Sequence, residues 1–240
     1  MSPNNLSQLN CRNCTYRSDT QWEALTETET ILLSEAVFCM EYEPGEVLFH
    51  EGDTCKGVYC IRSGLVVVRK SGKDDDYVLL RRLGQPGTTL GYRPFLADDC
   101  HRGTAEAVKP SIICHIDRAT LTPLLNSNPK LGLLFLKQAA IDLGQAEEEI
   151  LEPMISARAR LAHAIILFKE RNGKLSSDGK LEIQLPLSRD DLAAMACVHP
   201  ETVTKIFRAF KKEGVAELVS HTLKITSIDR FFDELGEEFI

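Results

Sequence analysis

Leu187-Ser188-Arg189-Asp190-Asp191-Leu192-Ala193-Ala194-Met195-Ala196-Cys197-Val198-His199-Pro200-Glu201-Thr202-Val203-Thr204-Lys205-Ile206-Phe207-Arg208-Ala209-Phe210-Lys211-Lys212 is the stretch on which the fold turns. Its first nine residues predict a short helix with Ser188 as N-cap. The serine oxygen accepts an orphan N–H, and Asp190 and Asp191 meet the positive end of the helix dipole. Ala196-Cys197-Val198 reads as a tight turn. Pro200 then opens a second helix without sacrificing a hydrogen bond, because the first helical N–H has no intrahelical partner. Val203, Ile206, Phe207 and Phe210 fall on one face as a buried stripe, and Gly214 stops the helix.

The opposite face carries Glu201, Thr204, Lys205 and Arg208, the spacing of a helix laid in a DNA major groove. There Glu201 is expected to accept from cytosine N4, Lys205 to donate to guanine O6/N7 or a phosphate, and Thr204 to meet a thymine methyl. Arg208 and Lys211 are expected to hold phosphates, and Ser188, Arg189 and Pro200 complete the DNA-binding set. A strand pair over Leu218–Ile225 follows as the wing. The competing reading is an exposed charged helix in some other winged domain.

Charge supports the first reading. The chain of 240 residues has a formal net charge of -7, yet Ser156–Val215 holds 11 Lys/Arg against 7 Asp/Glu, which is +4 and leaves -11 elsewhere. A basic module on an acidic body is the asymmetry expected when one part meets phosphates. With 43% hydrophobic residues the length allows two modest domains. No apolar run is long enough to span a bilayer, and Met1–Asn10 lacks a signal-peptide pattern, so a cytoplasmic protein without membrane contact is expected. In that compartment the eight cysteines are not expected to form structural disulfides.

From Val37 to Ile116 short apolar runs alternate with turn residues, the rhythm of a small antiparallel β-structure. Pro44-Gly45, Glu51-Gly52-Asp53, Ser63-Gly64 and Lys73-Asp74-Asp75-Asp76 read as its turns. Beyond Pro129 the pattern becomes helical. Leu136, Ala140, Leu143, Ile150 and Met154 form an apolar seam suited to an identical helix in a partner. Glu147 falls on that seam beside Glu148 and Glu149. These acids are either a solvated face or a repulsion that weakens the dimer until a signal offsets it. Pro153 is expected to end or kink the helix.

The sum is an α+β chain. Residues 1–36 form a cysteine-containing segment and helix, and 37–128 a small antiparallel β-domain. Residues 129–155 form a dimerisation helix and 156–240 a winged helix-turn-helix.

Pro44-Gly45-Glu46-Val47-Leu48-Phe49, Glu51-Gly52-Asp53, Tyr59-Cys60-Ile61-Arg62-Ser63-Gly64, Leu90-Gly91-Tyr92-Arg93 and Glu201-Thr202-Val203 together resemble the CRP/FNR superfamily of bacterial regulators over nearly the whole chain. The resemblance implies that residues 37–128 are a β-roll sensor, a double-stranded β-helix of jelly-roll, cyclic-nucleotide-binding-like type. It also implies a dimerising helix, a two-fold operator with a shared G·C pair per half-site, and contact with RNA polymerase. Under it Glu201 stands at the family's base-reading glutamate. Thr204 stands where the fumarate/nitrate branch has a base-reading serine, and Lys205 at its following arginine. Lysine lacks the planar fork of arginine, which weakens that contact or moves it to a phosphate.

Cys11 and Cys14 form a CxxC, and under the same resemblance they match the first two ligands of a [4Fe-4S] cluster, with Cys114 at the distal ligand. The family's next N-terminal cysteine is missing, since Ser18, Asp19 and Thr20 stand near its place. The fourth ligand is left open among Asp19, Cys39, Cys55, Cys60 and Cys100. Other readings stay open too: thiol/disulfide switching, haem on His101 or His115 with a nitric oxide or other small-ligand input, zinc, or no cofactor. In the last case Cys60, Cys114 and Cys197 are small buried hydrophobes. Cyclic AMP is disfavoured, because Thr88-Thr89 and Arg102-Gly103-Thr104 replace the residues that hold it, although Arg102 and Thr104 could take another anion. No catalytic motif is present, so an enzyme is not expected. A regulatory nucleotide-binding module without DNA binding is the rival from another class.

Overall fold

The computed structural model describes residues 9–71, 78–151, 156–176 and 180–234. Two compact units comprise Met1–Lys70 with Arg81–Glu147, and Ser71–Leu80 with Glu148–Ile240.

The first unit opens with two 3-10 turns, Arg17–Asp19 and Gln21–Ala24, followed by α1 (Glu27–Ala36). A capping box starts α1: Glu29 N donates to Thr26 Oγ1 at 3.2 Å while Thr26 N donates to Glu29 Oε2 at 2.8 Å. Strands β1 (Phe38–Tyr42), β2 (Val47–Phe49), β3 (Gly57–Ser71), β4 (Val78–Gly84) and β5 (Thr89–Leu90) come next. Helix α2 (Tyr92–Leu96), strand β6 (Thr104–Asp117), α3 (Arg118–Ser127) and the long α4 (Pro129–Leu151) complete it. The sheet runs β1-β6-β3-β4, with β2 on β6 and β5 on β3. One core cluster joins Trp22, Leu33, Val58, Tyr92, Ile116 and Phe135, so the N-terminal turns, the sheet and α4 share a single apolar interior.

Asn128 fixes these parts to one another. Its buried amide donates to Ala24 O at 2.9 Å and Glu29 Oε2 at 2.8 Å, and its Oδ1 caps Leu131 N at 3.0 Å.

Ser63-Gly64 is not a turn. The chain passes through it within the fifteen-residue β3, and the register against β6 shifts between Ile61 and Val66. Gly64 has φ +90°, and a Cβ there would stand 2.1 Å from Ser111 Oγ, so glycine allows a bulge that bends one strand. Pro44-Gly45 and Glu51-Gly52-Asp53 do turn the chain, with φ +93° at Gly45 and +87° at Gly52. Lys73-Asp74-Asp75-Asp76 lies outside the described residues, as do Pro153, Met154 and the side chain of Ile150.

In the second unit α5 (Ala157–Ile166), α6 (Lys169–Asn172), β7 (Gly173–Leu175) and β8 (Leu181–Gln184) precede α7 (Arg189–Met195) and α8 (Pro200–Lys212). Strands β9 (Ala216–Val219) and β10 (Thr222–Ile225) and helix α9 (Ile228–Asp233) follow. The sheet order is β7-β8-β10-β9, and Ser220 turns the β9–β10 hairpin at φ +55°. Among the described residues no helix is long and apolar enough to cross a membrane.

Candidate nucleic-acid interface and cysteine pocket

Helix α7 begins at Ser188 with a reciprocal cap: Asp191 N donates to Ser188 Oγ at 3.0 Å, and Ser188 N donates to Asp191 Oδ2 at 3.2 Å. Cys197, at φ +48°, makes the turn out of α7. It is exposed, not a buried filler, because the left-handed backbone carries its side chain out of the packed helices. His199 Nδ1 accepts Glu201 N at 3.3 Å, which starts α8 with Pro200 in its first turn. Val203, Ile206, Phe207 and Phe210 are buried, and Glu201, Lys205, Arg208 and Lys211 are exposed. Arg189 reaches over from α7 and donates to Thr204 Oγ1 at 3.5 Å, so these two residues adjoin. Lys211 is ion-paired with Glu217 of β9.

Two residues here were not singled out from sequence. Arg160 of α5 donates through Nε to Ala196 O at 2.7 Å and braces the turn between α7 and α8. His199 is the N-cap of α8, and its place immediately before a first-turn proline was the available signal.

On α4, Leu136 and Leu143 are each 60% exposed, Leu133 64%, and Ala140 and Glu147 lie open beside them. The opposite face is packed: Phe135 meets Trp22 edge-on, and Asp142, buried, takes the Tyr92 hydroxyl and Gln138 Nε2.

A second constellation lies in the first unit. Cys11, Cys14, Cys60 and Cys114 line one cavity together with Arg17, Trp22, Leu33, Arg62 and Ile116. Arg62 positions the CxxC by donating to Asn10 O at 3.2 Å and Asn13 O at 3.0 Å. Thr89 Oγ1 accepts from Trp22 Nε1 at 3.1 Å and lies 3.8 Å from Cys60 Sγ. Burial pushes the Cys11 thiol up to about 11 and Cys60 up to about 12. Without a metal both are neutral, poor nucleophiles.

The cavity brings together the three expected ligands, Cys11, Cys14 and Cys114, with one candidate, Cys60. Asp19 is exposed on its 3-10 turn, Cys100 is exposed beside a different cavity, and Cys55 is buried with its Sγ on Gly57 O at 3.3 Å. Cys114 stands apart from the expectation of a free ligand. It forms a disulfide with Cys39, and the expectation that no disulfide would occur is thereby corrected. The cause is register, since antiparallel β1 and β6 place Cys39 directly opposite Cys114. Among the described residues no three His, Cys, Asp or Glu side chains are close enough to hold a metal ion as they stand. In type, Cys11, Cys14, Cys60 and, once its disulfide is reduced, Cys114, in an apolar pocket with arginines at its edge, are the soft donors an iron-sulfur cluster takes.

A larger cavity of about 310 Å³ lies beside Phe49, Thr89, Arg93, Asp99, His101 and Arg102. Arg102 is engaged by Asp99 Oδ2 at 2.8 Å, and Thr104, whose Oγ1 accepts Glu51 N at 3.1 Å, is not among the residues that line this cavity. His101 stacks on Phe49 at 3.7 Å, and His115 lies against Tyr59 at 4.6 Å without reaching this cavity's wall. Nothing here converges two imidazoles on one point.

Residues 39–128 match the cyclic nucleotide-binding domain family and residues 159–231 the Crp-like helix-turn-helix domain family. The chain is 23% identical to the regulatory protein HlyX of Actinobacillus pleuropneumoniae over 226 residues, covering 92% of each. It is 23% identical to the fumarate and nitrate reduction regulatory protein of Vibrio cholerae over 212 residues, covering 86% of this chain and 82% of that one. The fold is shared with FixK2 from Bradyrhizobium japonicum, at TM-score 0.69 and 20% identity over 82% of this chain and 96% of that one. With both domain families in this order on one chain, and relatives that align along most of it, the chain belongs to the CRP/FNR family of transcription regulators.

Proposed function

We propose that this regulator responds to oxygen or redox state through cysteines of its sensor unit and binds an inverted-repeat operator as a homodimer. The observation that carries the reading is the placement of the CxxC against Cys60 and Cys114 in one pocket. It is joined by a relative whose name is that of a fumarate and nitrate reduction regulatory protein. In the dimer, the exposed α4 faces pair through Leu136, Ala140, Leu143 and Glu147, and the apolar periodicity of the sequence extends the same seam to Ile150 and Met154. Two α8 helices then reach successive major grooves, about 34 Å apart. Glu201, Thr204 and Lys205 read bases, Arg189, Arg208 and Lys211 hold phosphates, and Ser188 and Pro200 set the helix starts. RNA polymerase is the onward partner.

A [4Fe-4S] cluster in the pocket supplies an oxygen-labile centre. The protein's own part is to hold the N-terminal segment by Arg62 and to connect the sensor to α4 through Tyr92 and Asp142. A second reading, a thiol/disulfide switch without metal, is favoured by one observation, the Cys39–Cys114 disulfide.

The test is operator binding by protein purified without oxygen, with iron and sulfide assayed. Iron-containing protein should change its operator affinity at least tenfold on exposure to air. Iron-free protein that changes only with a thiol oxidant selects the second reading. Identical binding under all three conditions removes redox sensing altogether.

A further inference from the structure

We infer that Cys60 is the fourth thiolate of the cluster site and that Cys39 closes the site by taking Cys114 out of it. The inference rests on the cluster reading above and assigns what that reading leaves open.

The sheet puts three sulfurs in a row. Cys39 on β1 is opposite Cys114 on β6, and Cys114 is opposite Cys60 on β3. Directly opposed residues of antiparallel strands present their side chains on the same face. Cys114 therefore has a cysteine on either side of it. On one side Cys39 is bonded to it. On the other, Cys60 opens into the cavity that Cys11 and Cys14 also line.

The segment bearing Cys11 and Cys14 is held over that row from β3 itself, two residues beyond Cys60. Arg62 grips the carbonyls of Asn10 and Asn13, one on each side of Cys11 and Arg12. The fixed loop and the strand row thus supply four thiols from three places in the sequence. The remaining candidates are elsewhere: Cys55 is spent on Gly57 O and Gly91 O, and Cys100 and Asp19 are exposed outside the cavity. Soft thiolates are the donors iron-sulfur clusters take, four to a cluster. Trp22, Leu33 and Ile116 exclude water, and Arg17 and Arg62 offset the negative charge that four thiolates bring.

Closure is a balanced two-electron oxidation. The Cys39 and Cys114 thiols lose two protons and two electrons as the S–S bond forms. Dioxygen takes up both and leaves as hydrogen peroxide. With Cys114 bonded to Cys39, three thiols remain in the cavity and the site is incomplete. A thiol reductant reopens it.

The experiment uses the full chain, reconstituted under anaerobic conditions with ferrous iron and sulfide, and reads iron content, visible absorption and disulfide-linked peptides. Wild type should take up about four iron per chain and show broad sulfur-to-iron bands. Cys60→Ala and the closely sized Cys60→Ser should each lose at least tenfold of the bound iron while melting like wild type, and Cys55→Ala should load normally. Exposed to air, wild type should yield a Cys39–Cys114 peptide and refuse iron until reduced. Cys39→Ala should reload without reductant. If wild type loads and both Cys60 variants load equally, the assignment of Cys60 fails while the cluster stands. If wild type takes no iron after reduction, the cluster reading fails and carries this one with it. An aired protein whose Cys114 is bonded to Cys60, or to nothing, overturns the role given to Cys39.

Discussion

Glu201 and Arg208 lie two helical turns apart on the open face of α8, and their chemistry gives them different work. Under the proposed reading a carboxylate at the helix start would accept a hydrogen bond from one base, whereas a guanidinium one turn from the end would meet a phosphate whatever the sequence. Glu201→Ala should therefore lose about 1–3 kcal/mol of discrimination at one base pair per half-site. Arg208→Ala should weaken every operator alike, and fluorescence anisotropy over a panel of single-base operator variants separates the two patterns. Equal behaviour of the variants would contradict the roles. A second residue-scale prediction concerns His101 and His115, whose imidazoles are pushed below their usual range by burial, against the opposing pull of Asp53 on one and Asp117 on the other. The unfolded chain then binds more protons than the folded one just below the ordinary imidazole value of about 6.5. Stability from this source is complete above that pH and is lost as pH falls toward the depressed folded values. Urea midpoints measured between about pH 7.5 and 5.5 should fall with acid, and less steeply in His101→Phe, which keeps the stack on Phe49. An unchanged slope in that variant would show that His101 does not carry the effect.

Elements were legible where their signals are local. The Ser188 cap, the proline at the start of α8 and its four-residue apolar stripe are written within a turn or two of where they act, and α7 and α8 follow them. Strand β3 was harder, because Ser63-Gly64 has the composition of a turn and only contact with Ser111 and Pro110 on β6 makes it a bulge. Helix α4 shows the difference between a pattern and its use. Its periodicity gave the seam, and Leu136 and Leu143 stand open on it. Burying a leucine against a symmetric mate is worth roughly 1.5–3 kcal/mol, so Leu136→Glu with Leu143→Glu should raise the dimer dissociation constant by at least about 100-fold. Helix content should be unchanged, since both side chains are mostly exposed in their own unit. Glu147→Leu should move the constant the other way. Sedimentation equilibrium decides it, and a double variant that stays dimeric at low concentration would show that the copies meet elsewhere.

At the scale of the molecule, what the sequence could not disclose is what distant strands bring together. The CxxC was visible, but the row Cys39–Cys114–Cys60 exists only through the pairing of β1, β6 and β3, and nothing local to any one cysteine announces it. Charge, by contrast, needs no folding to be counted. The +4 stretch Ser156–Val215 sits in a chain of net -7, so attraction to DNA has to come from a few exposed cations against an acidic background. Arg189, Arg208 and Lys211 of each of two protomers would neutralise about six phosphates, giving a slope of log affinity against log salt near -5. Lys211 is shared with Glu217, which competes with phosphate for it. Arg208→Ala should make the slope shallower by about 2, one for each half-site, and Glu217→Gln should leave it equal or steeper while raising affinity for unrelated DNA. Titrations from about 50 to 200 mM salt measure all three. A wild-type slope near zero would mean that α8 does not lie against the duplex backbone, and the basic character of this stretch would then need another purpose.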